Sequence, residues 1–507
     1  MLAGLLEPVD FGLVALAAVF VAFAQLIVDQ GLGDALIQRR ALTPQQLDTA
    51  FWAAVITGAL LSVAMIALSF PIAAALNEPD LAPILQVLSF VFIIVSLTSV
   101  QVAIARRQME FRTLALRRLA AIIGGGAVGI ALAVADYGPW ALVAQQLTAG
   151  VISVILLWAV SPWRPSTRFS TSDFRSLFSF GVNVLAGDIL QFLSRNSDNF
   201  LVGVFLGPAP LGLYSLGYKL LDTSQVVLVN SFGKVVFPTF ARLHHDLDRL
   251  RRAYARLTRV VSSITLPGYI GLALVIEQAT TLLLGGKWAT SGGIAAILFL
   301  IGPVSTLYGY SGQILNAVGR PDVTFRFRLL TAVVNISGFI IAVAVFRDVY
   351  AVAIAFVVRG YLLVPVMVYW LSKYAGIPIR ENITRLRSVA PATAVMAAAI
   401  LAIRFGLASV LSPILLLTLE VVTGFVVYWA TLFVLDRGVV TDLIDFARNL
   451  LPGGRRRGRR SAGDSDDPAD EPAEPAEAAD DEITPQEAAY SQPLARQGGL
   501  DDEADDL

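Results

Sequence analysis

The chain has 507 residues, 56% of them hydrophobic and only 15% charged, with a mean hydropathy of +0.69. A water-soluble protein of this length carries more charge on its surface, and with no cysteine the sequence offers no disulfide, thiolate metal site or thiol nucleophile. The formal net charge of −1 averages over a strong pattern, with arginines in alternate loops and acids crowded into the C-terminal tail.

Met1 to Asp10 has no basic flank and no small-residue cleavage site follows, so no secretory signal peptide is expected. A bilayer core about 30 Å thick needs roughly 20 apolar residues per spanning helix. Thirteen stretches qualify: 11–33, 51–75, 84–105, 118–136, 139–160, 177–205, 210–238, 260–285, 291–316, 325–346, 350–373, 388–406 and 412–435. They are rich in Gly, Ala and Ser, which let membrane helices approach closely.

The loops between them alternate in charge. Arg39 and Arg40 follow the first stretch, while Asn77 to Asp80 carries no basic residue. Arg106, Arg107, Arg112, Arg117 and Arg118 come next, then Asp136 to Gly138 without one. Arg164, Arg168 and Arg175 precede the uncharged Gly207 to Pro210, and the loop from Arg242 to Arg259 precedes a lone Lys287. Arg320, Arg326 and Arg328 then face Arg347, and Lys373, Arg380, Arg385 and Arg387 face Arg404. Basic loops mark the cytoplasmic side, so the expectation is a multi-pass protein of the cytoplasmic membrane with a cytoplasmic C-terminus.

An internal repeat complements this count. Leu6-Glu7-Pro8-Val9-Asp10-Phe11-Gly12-Leu13 matches Leu206-Gly207-Pro208-Ala209-Pro210-Leu211-Gly212-Leu213, and at the same offset Gln25 corresponds to Gln225. A span precedes the second copy and none precedes the first, so one N-terminal helix is expected to be missing. Six spans separate the copies, and an even number gives parallel repeats about an axis along the membrane normal. The expected fold is an all-α polytopic membrane protein of two pseudo-symmetric lobes, five or six plus six helices, with two extra C-terminal helices. Its divisions are an N-terminal transmembrane lobe over 1–160, a cytoplasmic linker over 161–176, a C-terminal lobe over 177–373, two extra helices over 374–451 and a tail over 452–507. The tail begins with a basic cluster, Arg455 to Arg460, and continues as Asp, Glu, Pro and Ala with too little apolar surface to fold. The cluster reads either as a positive-inside stop signal or as a contact for anionic lipid headgroups.

Charges inside a bilayer cost at least roughly 2.5–3.5 kcal/mol on insertion scales, so polar residues within spans need a cavity or a partner. Asp188, Gln191, Arg195, Asp198 and Asn199 share one helical stripe, as do most of Lys219, Asp222, Thr223, Asn230 and Lys234 on the next helix. Gln25 and Asp29 form a thinner stripe in the first repeat. Two readings fit these stripes. In one, Arg195 pairs with Asp198 and Lys219 with Asp222 at i, i+3, and the charges only neutralise each other. In the other, the stripes line a water-filled cavity in which Arg195, Lys219 and Lys234 hold phosphate oxygens. Arg359 is a further intramembrane cation, and Glu277 reads as interfacial.

Gly124-Gly125-Gly126, Pro267-Gly268, Gly302-Pro303 and Pro365 can either bend their helices or serve close packing. His244 and His245 sit in a basic loop without metal-ligand spacing and read as solvated loop, so no metal site is expected. There is no Walker A motif, and the outer loops are too short for an active site. No catalytic residue, cofactor or nucleic-acid partner is expected.

Several motifs carry a family resemblance. Pro8 to Leu16 with Gln25, Asp29-Gln30-Gly31-Leu32-Gly33 and Ile37-Gln38-Arg39 resembles the opening of polysaccharide exporters of the Wzx-like type. These belong to the superfamily of multidrug, oligosaccharidyl-lipid and polysaccharide exporters. Phe180 to Asn183, Asp188, Arg195 to Asn199, Leu206 to Tyr214, Phe237-Pro238 and Asn316 to Pro321 are similar to the same family, so the resemblance spans about residues 5–435. It implies fourteen helices in two lobes around a cationic central cavity, and a polyprenyl-pyrophosphate-linked oligosaccharide as substrate for surface or exopolysaccharide synthesis, lipopolysaccharide included.

On this reading Arg195, Lys219, Lys234, Asn199, Gln25 and Gln225 bind substrate, and Asp188, Asp198, Asp222 and Asp29 couple transport to an ion gradient. The partners are the lipid-linked glycan, membrane lipids, and glycosyltransferases or a polysaccharide polymerase. The alternatives are a cation-coupled multidrug exporter of the same architecture and a non-transporting membrane scaffold for glycan assembly.

Overall fold

A computed structural model describes residues 2–29, 42–230, 247–378 and 386–439, with isolated positions between 33 and 37 and at 441. Among the described residues the secondary structure is helical, without strands. A single helical turn at Leu2–Leu5 leads into thirteen long helical segments. These are α1 (Pro8–Asp29), α2 (Pro44–Leu76), α3 (Leu81–Arg107), α4 (Phe111–Val134), α5 (Trp140–Val160), α6 (Thr171–Leu206) and α7 (Pro208–Gln225). There follow α8 (Leu247–Leu284), α9 (Gly286–Ala317), α10 (Pro321–Phe346), α11 (Val349–Ala375), α12 (Val389–Leu407) and α13 (Pro413–Leu435).

Each expected span overlaps one of these segments, the ends of the first (11–33) and seventh (210–238) lying largely outside the described residues. Eleven are long and apolar enough to cross a membrane, so the chain is a multi-pass membrane protein. The two that fail that test are α6 and α7, the helices with the polar stripes, although α6 at 36 residues has length to spare.

Local sequence sets the ends. Thr43 closes a capping box on α2, its hydroxyl accepting from the Gln46 amide while the Gln46 side chain returns to the Thr43 amide, and Pro44 takes the first helical position. Ser170 caps α6 through the Asp173 amide. Proline also opens α7, α10 and α13.

The expected basic loop up to Arg259 is corrected in its second half. From Leu247 it is helix and belongs to α8. Leu250, Tyr254 and Val261 recur at helical spacing and are fully buried against Ile314, Leu315 and Leu371, and that apolar face outweighs the arginines between them. His244 and His245 lie outside the described residues, as do the tail from 452 onward and Lys234.

The expected breaks divide by cause. The α9 helix is interrupted just before Gly302-Pro303 and α11 just before Pro365. By contrast α8 runs unbroken through Pro267-Gly268, and α4 through its three glycines. In α4 two of the three glycines serve contact: a side chain at Gly124 would meet Ile152, and one at Gly125 would meet the Gln145 carbonyl oxygen at 2.6 Å and Ala149 at 2.9 Å.

At one end of the bundle, the basic end, the chain between α5 and α6 is tied to the start of α2. Trp52 Nε1 donates to the Ser166 carbonyl at 2.7 Å, the buried Asp48 carboxylate accepts from the Ser166 amide at 3.0 Å, and Thr49 accepts from the Ser170 amide at 3.1 Å. The hairpin α12–α13 is clamped to α8. Arg404 makes a two-pronged ion pair with the fully buried Glu420 (3.0 and 2.8 Å) and donates to the Leu274 carbonyl at 2.7 Å. Tyr428 donates to the Ser263 carbonyl at 2.6 Å, and Asp436 accepts from Arg259 and Ser388.

At the opposite end α1 and α7 cross without room for a side chain. A Cβ at Gly12 would lie 1.7 Å from the Pro208 carbonyl oxygen, and one at Gly212 would lie 1.8 Å from that of Pro8. The two copies of the repeat therefore meet reciprocally, each glycine on the other's proline. Beside this crossing Trp288 is fully buried, donates its indole N–H to the Ala3 carbonyl and packs edge-on to Phe11 at 5.2 Å, while Lys287 reaches Glu7 at 3.0 Å.

The crossing predicts an asymmetric response to one methyl group. Gly12→Ala or Gly212→Ala should lower stability in detergent by about 2 kcal/mol or more, the overpacking range. Gly126→Ala, with nothing within 4 Å of its new methyl group, should leave the thermal midpoint unchanged. Equal midpoints for all three variants would contradict the close crossing.

Candidate functional site

The stripes on α6 and α7 converge on a cavity of about 470 Å³. From α6 it is lined by Asp188, Gln191, Phe192, Arg195, Asn196 and Asn199, and from α7 by Ser215, Tyr218, Lys219 and Asp222, with Leu26 of α1 completing the wall. Spacings of three and four put these side chains on one face of each helix. The cavity reading is the one the geometry favours over local neutralisation. Among the described residues neither Arg195–Asp198 nor Lys219–Asp222 approaches within 4.0 Å, and neither cation has another ion-pair partner.

The first of those pairs fails because Asp198 turns away from the stripe. It is only 2% exposed, accepts a hydrogen bond from the Tyr214 hydroxyl at 2.8 Å and another from the Asn199 amide at 2.8 Å. Nearby on α11 the Arg359 guanidinium lies over the Phe356 ring at 4.5 Å, its Nε without a hydrogen-bond partner. Asp198 and Tyr214 thus form a buried pair that is not part of the cavity lining, whereas Tyr218, one turn on from Tyr214, is. Both tyrosines escape a search for charged stripes. Their signal in the sequence is the i, i+4 spacing of Tyr214 and Tyr218 on the same helix as Lys219.

The cavity holds two carboxylates, Asp188 and Asp222, beside two cations, Arg195 and Lys219. The charges are layered. The α6 helix runs from the basic end and α7 runs towards it. Arg195 therefore lies about 10 Å further from the basic end than Asp188, and Lys219 about 4.5 Å further than Asp222, at 1.5 Å of rise per residue. Both cations sit in the deeper layer and both acids in the layer nearer the basic end. Asn199 belongs to the deep layer too, and its side-chain oxygen is buried without a hydrogen-bond partner. A group offering anionic oxygens fits the two cations of that layer.

The remaining expected site residues fall elsewhere. Gln25 and Gln225 are half-buried on α1 and α7 but are not part of this lining, and Leu26 holds the place on α1 that Gln25 was expected to take. Leu26 is one residue, or about 100° of helix, further on. Asp29 ends α1, but its side chain lies outside the described residues, as does Lys234.

Tyr214→Phe should lower stability by about 1.5–3 kcal/mol, the cost of withdrawing a hydrogen bond from a buried carboxylate. Tyr218→Phe, which removes no described hydrogen bond, should cost less than half as much. Thermal unfolding in detergent reports the difference, and equal losses would place Asp198 in solvent instead of against Tyr214.

The matches to known proteins agree in kind. A family model described as "Polysaccharide biosynthesis protein" matches residues 1–292. The teichuronic acid biosynthesis protein TuaB of Bacillus subtilis is 31% identical over 60% of this chain and 63% of its own length, so the alignment spans less than two thirds of that relative. The succinoglycan biosynthesis transport protein ExoT of Rhizobium meliloti is 26% identical over 89% of this chain and 92% of its own. The solved structure of the lipid II flippase MurJ in an inward closed conformation superposes with a TM-score of 0.70, covering 86% of this chain and 94% of that one at 13% identity. At that identity the likeness establishes the fold.

Proposed function

This chain belongs to the polysaccharide biosynthesis protein family, and from that premise we propose that it is a flippase for a polyprenyl-pyrophosphate-linked oligosaccharide. The glycan-bearing head crosses the cytoplasmic membrane through the cavity while the lipid tail stays in the bilayer, and no covalent bond is made or broken. The observation that carries the reading is the deep layer of Arg195 and Lys219, two cations without ion-pair partners among the described residues, beside the orphaned acceptor of Asn199. Two cations facing one cavity hold the two phosphates of a pyrophosphate through charge-assisted hydrogen bonds.

In this proposal the basic end faces the cytoplasm and the C-terminus lies on that side. The Gly12–Gly212 crossing and the contacts of Trp288 and Lys287 then close the outer side, so a head enters from the cytoplasm. Residues 1–160 and 177–373 act as the two lobes that rock about the cavity. Asp188 and Asp222, in the layer nearer the cytoplasm, and the buried Asp198 are the candidate carriers of the coupling ion, with Asp29 a further candidate. The sugar-bearing lipid is delivered by membrane glycosyltransferases and taken up on the outer side by a polymerase.

One observation favours a second reading. The two carboxylates in the lining suit an amphipathic cation, so a cation-coupled drug exporter of the same architecture is the rival.

Arg195→Ala with Lys219→Ala should reduce flipping of a fluorescent lipid-linked glycan in liposomes by at least about tenfold, the loss of one or two charge-assisted bonds. A drug-susceptibility panel on cells carrying the same variant should show no change. Undiminished flipping removes the pyrophosphate role, and a shift in the panel without loss of flipping favours the exporter.

A further inference from the structure

Adjoining the charged cavity is a second one of about 510 Å³, lined by α1, α4, α5 and α7. Ser215 and Lys219 line both. Its walls are otherwise aliphatic and aromatic, Phe11 among them, with two exceptions: the adjacent amides Gln145 and Gln146 of α5. Two primary amides inside a membrane-spanning helix need partners. On the same helix Ser153 satisfies itself on the Ala149 carbonyl at 2.9 Å. Among the described residues neither glutamine amide has a hydrogen bond, whether within its helix or across to another.

The root of Gln145 is packed against α4: a Cβ at Gly129 would meet its Cβ at 3.0 Å and its Cγ at 3.4 Å. Its amide therefore projects from a closely packed pair of helices.

The chemistry of the walls selects the occupant. A phosphate needs cations, and Lys219 is the one cationic side chain in this lining. A hydrocarbon tail needs no amides. A sugar ring has apolar C–H faces and a rim of hydroxyls, which matches an apolar chamber with two amides able both to donate and to accept. The size falls in the usual range for a small-ligand site, about 300–1,000 Å³. Connectivity agrees as well. The first sugar of a glycan-pyrophosphate is bonded directly to phosphate, and the two cavities share Lys219.

We propose that this second cavity is the subsite for the pyrophosphate-proximal sugar, read by Gln145 and Gln146, with Lys219 at the sugar–phosphate junction. The inference rests on the flippase reading and adds to it the place where the glycan is discriminated.

The test compares binding of three lipids to the full chain in nanodiscs: polyprenyl pyrophosphate, and the same lipid bearing one glucose or one galactose. In the wild type at least one hexose should tighten binding by about tenfold, as expected for a site built to hydrogen-bond hydroxyls. Gln145→Met with Gln146→Met should keep the affinity for bare polyprenyl pyrophosphate within twofold and erase the hexose increment. The single change Gln146→Met, at a more exposed position, should lose about threefold and covers the case in which the double variant does not fold. A wild type indifferent to both hexoses, or an increment that survives the substitutions, overturns the proposal and leaves the amides to water. Failure of the underlying reading is separate: bare polyprenyl pyrophosphate would then bind equally well to Arg195→Ala with Lys219→Ala.

Discussion

Inside a bilayer there is no water to satisfy a polar group, so each one must find a partner in the protein or stand in a wet space. The helices of this chain can be read as answers to that demand. Hydroxyls turn back onto their own helix, as Thr265 does to Val261 and Thr393 to Val389. Glu420, fully buried, is met by both prongs of Arg404, which also satisfies the Leu274 carbonyl. A pair of that kind adds little net stability over an apolar pair, but removing one member is costly, so it fixes the α12–α13 hairpin on α8 in one arrangement. Asp198 has Tyr214 and its neighbour's amide. Other polar atoms, the buried Gln101 amide among them, have no such partner away from the cavities, and neither have Arg195 and Lys219 on one side of α7 and Gln145 and Gln146 on the other. These last four line the cavities.

Small residues make the same point from the packing side. Without a hydrophobic force between helices in lipid, association depends on close approach. Gly12 and Gly212 bring backbones together at one end of α1 and α7, and Gly125 and Gly129 do so between α4 and α5. The apolar mass of Trp288 beside the first crossing adds to closure there, whereas the exposed Lys287–Glu7 pair adds little.

Much of this was legible in the sequence because membranes write in long apolar stretches and alternating loop charge. Each of the thirteen expected spans overlaps a helix, and six of the expected polar stripe residues reach the cavity: Asp188, Gln191, Arg195, Asn199, Lys219 and Asp222. What failed to show depends on rotation and on distant partners. The stripe on α6 gives Asp198 the same standing as Asn199, yet one residue is about 100° of helix, and only Tyr214, sixteen residues on, decides which way it faces. A single residue also separates Gln25 from Leu26 at the wall. The helical start of α8 was hidden because arginines flank every buried residue in Leu247–Arg259. Gln145 and Gln146 drew no notice because amides carry no charge, and their importance lies in the partners they lack.

The reciprocal seating of Gly12 and Gly212 governs how α1 and α7 can shift against each other. Their backbones meet at two points, Gly12 on Pro208 and Gly212 on Pro8, so neither a lengthwise slide nor a twist of one helix on the other leaves both seats intact. Further along, Leu16, Val21 and Val28 of α1 share one apolar core with Tyr214 and Leu221 of α7, so the two helices travel together as a single beam.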